Sequence, residues 1–169
     1  MRVFVSHKSE DTALAQEWAE KLESRGFNIY LDAYDNVIKK AKDRPLHIQN
    51  EIDDSSDLLV IVTENTQDSW WVPFEVGLST ALDKRIASLL FQNVNLPSFL
   101  RKWPVIDTEK KWGIYLEELG KNRTQLLHEH SLISSSTLHK SFENFSAIQQ
   151  SMRNSDLFHS VLMSKFGQN

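Results

Sequence analysis

Blocks of strand-like and helix-like hydrophobic periodicity alternate along this chain. "RVFVS" (2–6) is short and β-branched and predicts a first strand. "EDTALAQEWAEKLESRG" follows, with Leu14, Trp18 and Leu22 four residues apart, so it predicts a helix that stops at Gly26, a fitting C′ glycine. "FNIYLD" (27–32) is the second strand, and the polar stretch "AYDNVIKKAKDRP" leads to a short helix near 46–53. "DLLVIVT" (57–63) is a continuous apolar run, as expected of a strand covered by helices on both faces. "DSWWVPFEVGLSTAL" (68–82) predicts a helix and "RIASLLF" (85–91) a fourth strand. A loop holding Asn95 and Pro97 precedes a fifth strand, "WPVID" (103–107), and a helix, "TEKKWGIYLEELG", expected to close at Gly120.

Strands separated by helix-length segments predict a parallel sheet with helices on both sides. Five such units in roughly 120 residues fit a flavodoxin-like doubly wound α/β fold, a five-stranded parallel sheet of order 2-1-3-4-5 with a helical C-terminal extension. Residues 1–120 would form that domain and 121–169 the extension. The extension has a Ser-rich patch (131–137), then Leu138, Phe142, Phe145, Ile148 and Met152 at near-helical spacing. Leu157, Phe158, Val161, Leu162 and Phe166 predict one more amphipathic segment, which either packs on the domain or builds an oligomer interface.

Composition narrows the function classes. At 169 residues, 40% hydrophobic and 25% charged, the chain suits one globular domain. A net charge of −4, with no run of Lys or Arg longer than two, argues against nucleic acid as partner. There is no cysteine, which excludes a disulfide scaffold, a thiolate nucleophile and a thiolate zinc site. No signal peptide is visible at the start and the longest apolar run, "LLVIV", is far short of a membrane span, so a soluble cytoplasmic protein is expected. His128 and His130 read as solvated rather than as metal ligands, and no metal site is expected. No G-x-G-x-x-G follows the first strand, so NAD is not expected as a redox cofactor.

In a sheet of this order, ligands bind beyond the carboxyl ends of the strands where the winding reverses, here between the first and third strands. The loops meeting there are "SHKSED" (6–11) and "TENTQDSWW" (63–71), with the start of the helix that carries Glu75. Trp71, Phe74, Leu78 and Leu82 form an apolar stripe, and Glu75 lies on its Trp71 side, one turn along. Pro73 is tolerated near the helix start, and Asp68 or Ser69 can serve as N-cap. Two readings of Glu75 stay open: a first-turn acid favoured by the helix dipole, or a partly desolvated carboxylate at the rim of a cleft. A phosphoacceptor receiver domain shares the strand order. It needs an Asp after the third strand, an acidic pair after the first and a Lys after the fifth, where this chain has Thr63, His7 with Lys8, and Asp107.

"VFVSHKSEDTA" resembles the opening strand and loop of TIR (Toll/interleukin-1 receptor) domains, in which F-[IVL]-S is followed shortly by an acidic pair. "SDLLVIVTENTQDSWWVPFEVGLSTAL" is similar to that family's third strand and following helix, including a W-x-x-x-E pattern from Trp71 to Glu75. "RIASLLF" and "WPVID" resemble its last two strands. The likeness spans about residues 2–120, and the motifs fall in the family's order. The chain departs from it in having Arg44 and Pro45 where the loop after the second strand usually holds a glycine, and in having His7 in the first loop.

TIR domains are either interaction scaffolds or enzymes that cleave NAD+ at the nicotinamide–ribose bond. The resemblance implies the second, in the manner of the small TIR proteins of bacterial Thoeris-like anti-phage systems. It makes Glu75 catalytic and NAD+ a substrate rather than a cofactor. It also makes Ser6, His7, Lys8, Asp32, Ser69 and Trp71 substrate-binding, with Asp35 a weaker candidate. The implied products are nicotinamide and ADP-ribose, or a cyclic or conjugated ADP-ribose signal for a separate effector, since no sensor, nuclease or pore domain is expected on this chain. Self-association through TIR–TIR contacts is implied too. The alternatives are a non-catalytic TIR scaffold and, further off, an enzyme resembling nucleoside deoxyribosyltransferases.

Overall fold

The computed structural model describes residues 1–31, 44–91, 93–133 and 154–168, with the side chains of 122–133 outside the description. Five parallel strands form one sheet in the order β2-β1-β3-β4-β5. They are β1 (Arg2–Ser6), β2 (Asn28–Leu31), β3 (Asp57–Val62), β4 (Arg85–Leu90) and β5 (Val105–Ile106). The helices are α1 (Thr12–Glu23), α2 (Arg44–Asp53), α3 (Trp71–Ala81), α4 (Glu109–Ile133) and α5 (154–166). Each strand begins and ends within two residues of its expected limits. The last of the expected helices does not: α4 runs through Gly120 to Ile133. A lone glycine inside a helical pattern costs about 1 kcal/mol against alanine, which three further turns of helix readily outweigh.

Strand alternation sorts the core into two layers. Val3, Val5, Leu59, Ile61, Ala87, Leu89 and Ile106 face α1, α4 and α5, where Trp18, Leu22, Trp112, Tyr115, Phe158 and Leu162 meet them. Phe4, Leu58, Val60, Val62 and Ile86 face the other way, onto Ile48 and Ile52 of α2, Val72 and Val76 of α3, and Leu100 and Trp103 of the β4–β5 connection. β3 is buried at all of its six positions, the reason it reads as a continuous apolar run after Asp57.

Helix ends are closed by local chemistry. At the end of α1 the Phe27 amide donates to the Leu22 carbonyl and the Gly26 amide to that of Glu23, with Gly26 at φ 80°. This paired closure needs a left-handed residue, which glycine adopts without strain, and it brings Phe27 and Leu22 together in the core. The end of α3 repeats the pattern with Asp83 at φ 51°, a residue that tolerates that region through its short polar side chain.

The last described segment settles one open question from the sequence. Phe158, Leu162 and Phe166 of α5 enter the α1/α4 core layer, so this segment packs on the domain. It also satisfies backbone amides at this end of the sheet, one on β4 that the two-residue β5 does not reach and one on the outer edge of β5. His159 Nε2 accepts from the Ile86 amide at 2.8 Å, and Gln168 Oε1 accepts from the Val105 amide at 3.0 Å. Beside them Arg85 pairs with buried Asp57 at 2.6 Å and lies over the Phe158 ring.

Burial lowers the His159 pKa to about 4, the Lys102 and Arg85 charges adding to the drop and the Asp156 and Asp57 carboxylates opposing it. The ring is therefore neutral at pH 7, as its acceptor role requires. An unfolded imidazole titrates near pH 6.5, so between the two values the unfolded chain holds the extra proton. Stability from this group is complete above about pH 6.5 and is lost as pH falls toward 4. Urea unfolding is expected to show about 2–3 kcal/mol lost to this residue between pH 7 and pH 4. His159→Gln, which keeps an acceptor but cannot protonate, should flatten that part of the slope.

Candidate functional site

Alternation along β1 decides where the site begins. Val3 and Val5 point to the α1/α4 side, so Phe4 and Ser6 point to the α2/α3 side. Ser6 ends β1 beside Val60 of β3, and Val60 lies beside Ser88 of β4. Above this row α3 turns Val72, Glu75, Val76 and Ser79 inward, at i, i+3, i+4 and i+7. The Ser6 hydroxyl donates to Glu75 Oε2 at 2.5 Å, across 69 residues of sequence, and the Glu75 side chain is only 3% exposed.

The stripe that faces the sheet is therefore not Trp71, Phe74, Leu78 and Leu82, as the spacing suggested. Trp71, Leu78 and Leu82 are half-buried along one flank and Phe74 is exposed. Glu75 stands inside the buried stripe rather than beside it. It is also the fifth residue of α3, and the first turn of that helix carries no acid. Dipole stabilisation fades beyond the first turn, so the helix terminus does not account for this carboxylate.

The two loops at the switch point are laced by Asp11. Its carboxylate is buried and accepts from Thr63 Oγ1 at 2.6 Å and from Asn65 Nδ2 at 2.7 Å. Thr63 in turn caps the short turn Glu64–Asp68: its hydroxyl accepts from the Asn65 amide, and its own amide donates to Thr66 Oγ1. Ser69, not Asp68, then caps α3, its Oγ accepting from the Val72 amide at 3.2 Å. This chain of bonds runs from the first loop to the start of the helix that carries Glu75. The sequence reading missed the part played by Asp11, Thr63 and Asn65. An acidic residue in "SED" and a T-x-N step at the end of β3 were the available signals.

The other expected site residues are placed as follows. His7 is half-buried with Nε2 3.2 Å from Thr12 Oγ1, which ties its ring to the first turn of α1. Lys8 pairs with Glu10 at 3.8 Å on the surface, a contact that solvent makes weak. Trp71 lies four residues before Glu75, meets Phe74 edge-on, and carries the Arg44 guanidinium over its ring at 4.3 Å. Arg44, noted in the sequence only as a departure, thus joins α2 to α3 by a cation–π contact. Asp32 and Asp35 lie outside the described residues, as do the side chains of His128 and His130. Among the described residues no cluster suited to a metal ion is present, and no helix is long and apolar enough to cross a membrane.

The structure is thus a doubly wound α/β domain whose switch point between β1 and β3 holds a buried serine–glutamate pair. The model of the TIR domain family matches residues 3–121, and the chain belongs to that family. The TIR domain of the Toll-related receptor TRR-2 from Hydra magnipapillata has a TM-score of 0.59 at 15% identity, over 71% of this chain and 95% of that one. The CMP N-glycosidase BcmB of Clostridium botulinum has a TM-score of 0.46 at 20% identity, over 71% and 99%. The first is a likeness of fold. No curated protein matches the chain in sequence.

Asp11→Ala removes two charge-assisted bonds and leaves the Thr63 hydroxyl buried, which should lower stability by about 2–4 kcal/mol in urea unfolding. The amides of Asn65 and Thr66 should also exchange with deuterium faster than in the parent.

Proposed function

We propose that this TIR domain cleaves NAD+ at the nicotinamide–ribose bond, with Glu75 as the catalytic carboxylate. One observation carries the reading: Glu75 is buried at the carboxyl end of the sheet beside the switch point, held by Ser6 rather than by a helix terminus. Burying an ionisable side chain is costly, and its position beyond the first turn of α3 means the helix dipole does not offset that cost. A functional charge is the economical explanation.

The chemistry suits such a group. Breaking the N-glycosidic bond leaves the electron pair on nicotinamide, which departs neutral, and leaves positive charge on the ribose. A fixed carboxylate stabilises that oxocarbenium-like state, and no strong general acid is needed. Water adding to the ribose carbon and losing one proton gives ADP-ribose, whereas attack by a group of the same molecule gives a cyclic product. Ser6 acts as a positioning residue for Glu75, and His7, on the same loop, would meet the leaving base. Lys8, released from its surface pair with Glu10, would meet the pyrophosphate. Trp71, backed by Arg44, shapes the side of the site one turn before Glu75, and Ser69 sets the start of that turn. In this reading NAD+ is consumed, no resident cofactor is required, and the nucleotide product serves as a cytoplasmic immune signal to a separate effector in anti-phage defence.

Glu75→Gln keeps the shape and removes the charge. Nicotinamide release from NAD+, followed by chromatography at high protein concentration, should fall at least about 100-fold with thermal unfolding unchanged. Equal turnover in parent and variant would overturn the reading and leave a TIR interaction module. Ser6→Ala should lower kcat about 10-fold or more with little change in KM, because it loosens the carboxylate rather than removing a substrate contact.

A further inference from the structure

The layer between the sheet and α3 is mostly apolar, filled by Val60, Val62, Val72, Val76 and Ile86. Ser6, Glu75, Ser79 and Ser88 point into it too. Ser6 and Ser88 sit on one row of the sheet, on either side of Val60. Ser88 alternates with Ala87 and Leu89, which face α1 and α4, so its own side chain faces α3. Ser79 lies one turn beyond Glu75 on the buried stripe of α3.

The Ser6 hydroxyl donates to Glu75. Ser79 and Ser88 are different: both are 0% exposed, and neither hydroxyl has a hydrogen-bond partner among the described residues. A helical hydroxyl can turn back to the carbonyl four residues earlier, as Thr80 does to Val76 at 2.7 Å, but Ser79 does not. A buried hydroxyl without a partner carries its full desolvation cost, which alanine, almost the same size, avoids. Close packing of α3 on β4 therefore accounts for small side chains at these two positions, but not for hydroxyls.

The chain brings both hydroxyls toward one place. After Ser79 the turn is short, with the Lys84 amide donating to the Ser79 carbonyl at 2.9 Å, and β4 then runs back beneath α3. Helix side chains lean toward the helix N-terminus, so the Ser79 hydroxyl leans toward the turn of Glu75. Ser88 is on the sheet row of Ser6, the level that Glu75 meets. Two serines in a layer spaced by valines fall short of a valine pair by more than the ~30 Å³ that one water fills.

We infer that Ser79 and Ser88 together bind one internal water between α3 and β4, and that this water steadies the turn of α3 that holds Glu75 over Ser6. A single molecule satisfies both serines, since water donates to one hydroxyl and accepts from the other. The two serines are positioning residues and touch no substrate. Their effect on catalysis rests on the reading of Glu75 given above, whereas the water site does not.

A high-resolution crystal structure of the full chain and three variants test it. The parent should show an ordered water about 2.7–3.2 Å from both hydroxyl oxygens. Ser79→Ala and Ser88→Ala should each lower the thermal midpoint by about 2–4 °C, because each leaves the water one partner fewer. Alanine is the better helix former, so propensity alone would move Ser79→Ala the other way. The double variant, with an apolar pair and no water, should recover to within about 1 °C of the parent. In nicotinamide release its kcat should be about 5–10-fold lower at unchanged KM. Single-variant changes that simply add in the double variant, or a parent without the water, overturn the inference. The water present with kcat unchanged in the double variant overturns the positioning role. A parent that holds the water and shows the recovery but releases no nicotinamide overturns the proposed function and leaves the water site standing.

Discussion

Everything around the site depends on which way β1 presents its last side chain. Val3 and Val5 must enter the α1/α4 layer, so pleating sends Ser6 to the other side, under α3. A slip of one residue would put Val5 beneath Glu75 and Ser6 in an apolar layer, leaving a carboxylate and a hydroxyl both buried without each other. The register of β1 against β3 is held by the sheet ladder and by the filled core on both sides. The hydrogen bond from Ser6 to Glu75 is in this sense a product of the hydrophobic pattern.

Near that bond a connected group of polar side chains serves rigidity. Asp11, Thr63, Asn65, Thr66 and Ser69 form one connected set running from the first loop through the third strand to α3. Each fixes a backbone turn or a loop-to-loop distance. The consequence is that α3 enters the domain at a set angle, with Glu75 already turned inward. The arrangement suits a group that must meet developing charge without reorganising.

Much of the fold was legible because it rests on local periodicity. The short β-branched runs, the continuous apolar third strand and Gly26 after the first helix each have a mechanism that acts within a few residues. The site was legible less directly. Glu75 could be singled out, but its neighbours on the wheel were misjudged, because Trp71, Phe74, Leu78 and Leu82 are the more hydrophobic set while Val72, Val76 and Ser79 are the buried one. Hydrophobicity ranks residues by transfer energy and is silent about a helix with apolar residues on both sides. The ties made by Asp11 join residues more than fifty positions apart, and no local spacing announces them. Arg44 on Trp71 is of the same kind. The continuation of α4 past Gly120 was missed because one glycine was read as a stop.

α5 bears on the order in which the molecule assembles. Phe158 and Leu162 complete a layer whose first members are Val3 and Val5, and the free amides of Ile86 and Val105 wait for His159 and Gln168. Contacts so far apart in sequence are the slow ones to form. During synthesis the flank of β4 therefore stays uncovered until the ribosome has released residues 154–168. In that interval the nascent domain carries an open apolar seam, where holding chaperones would be needed most.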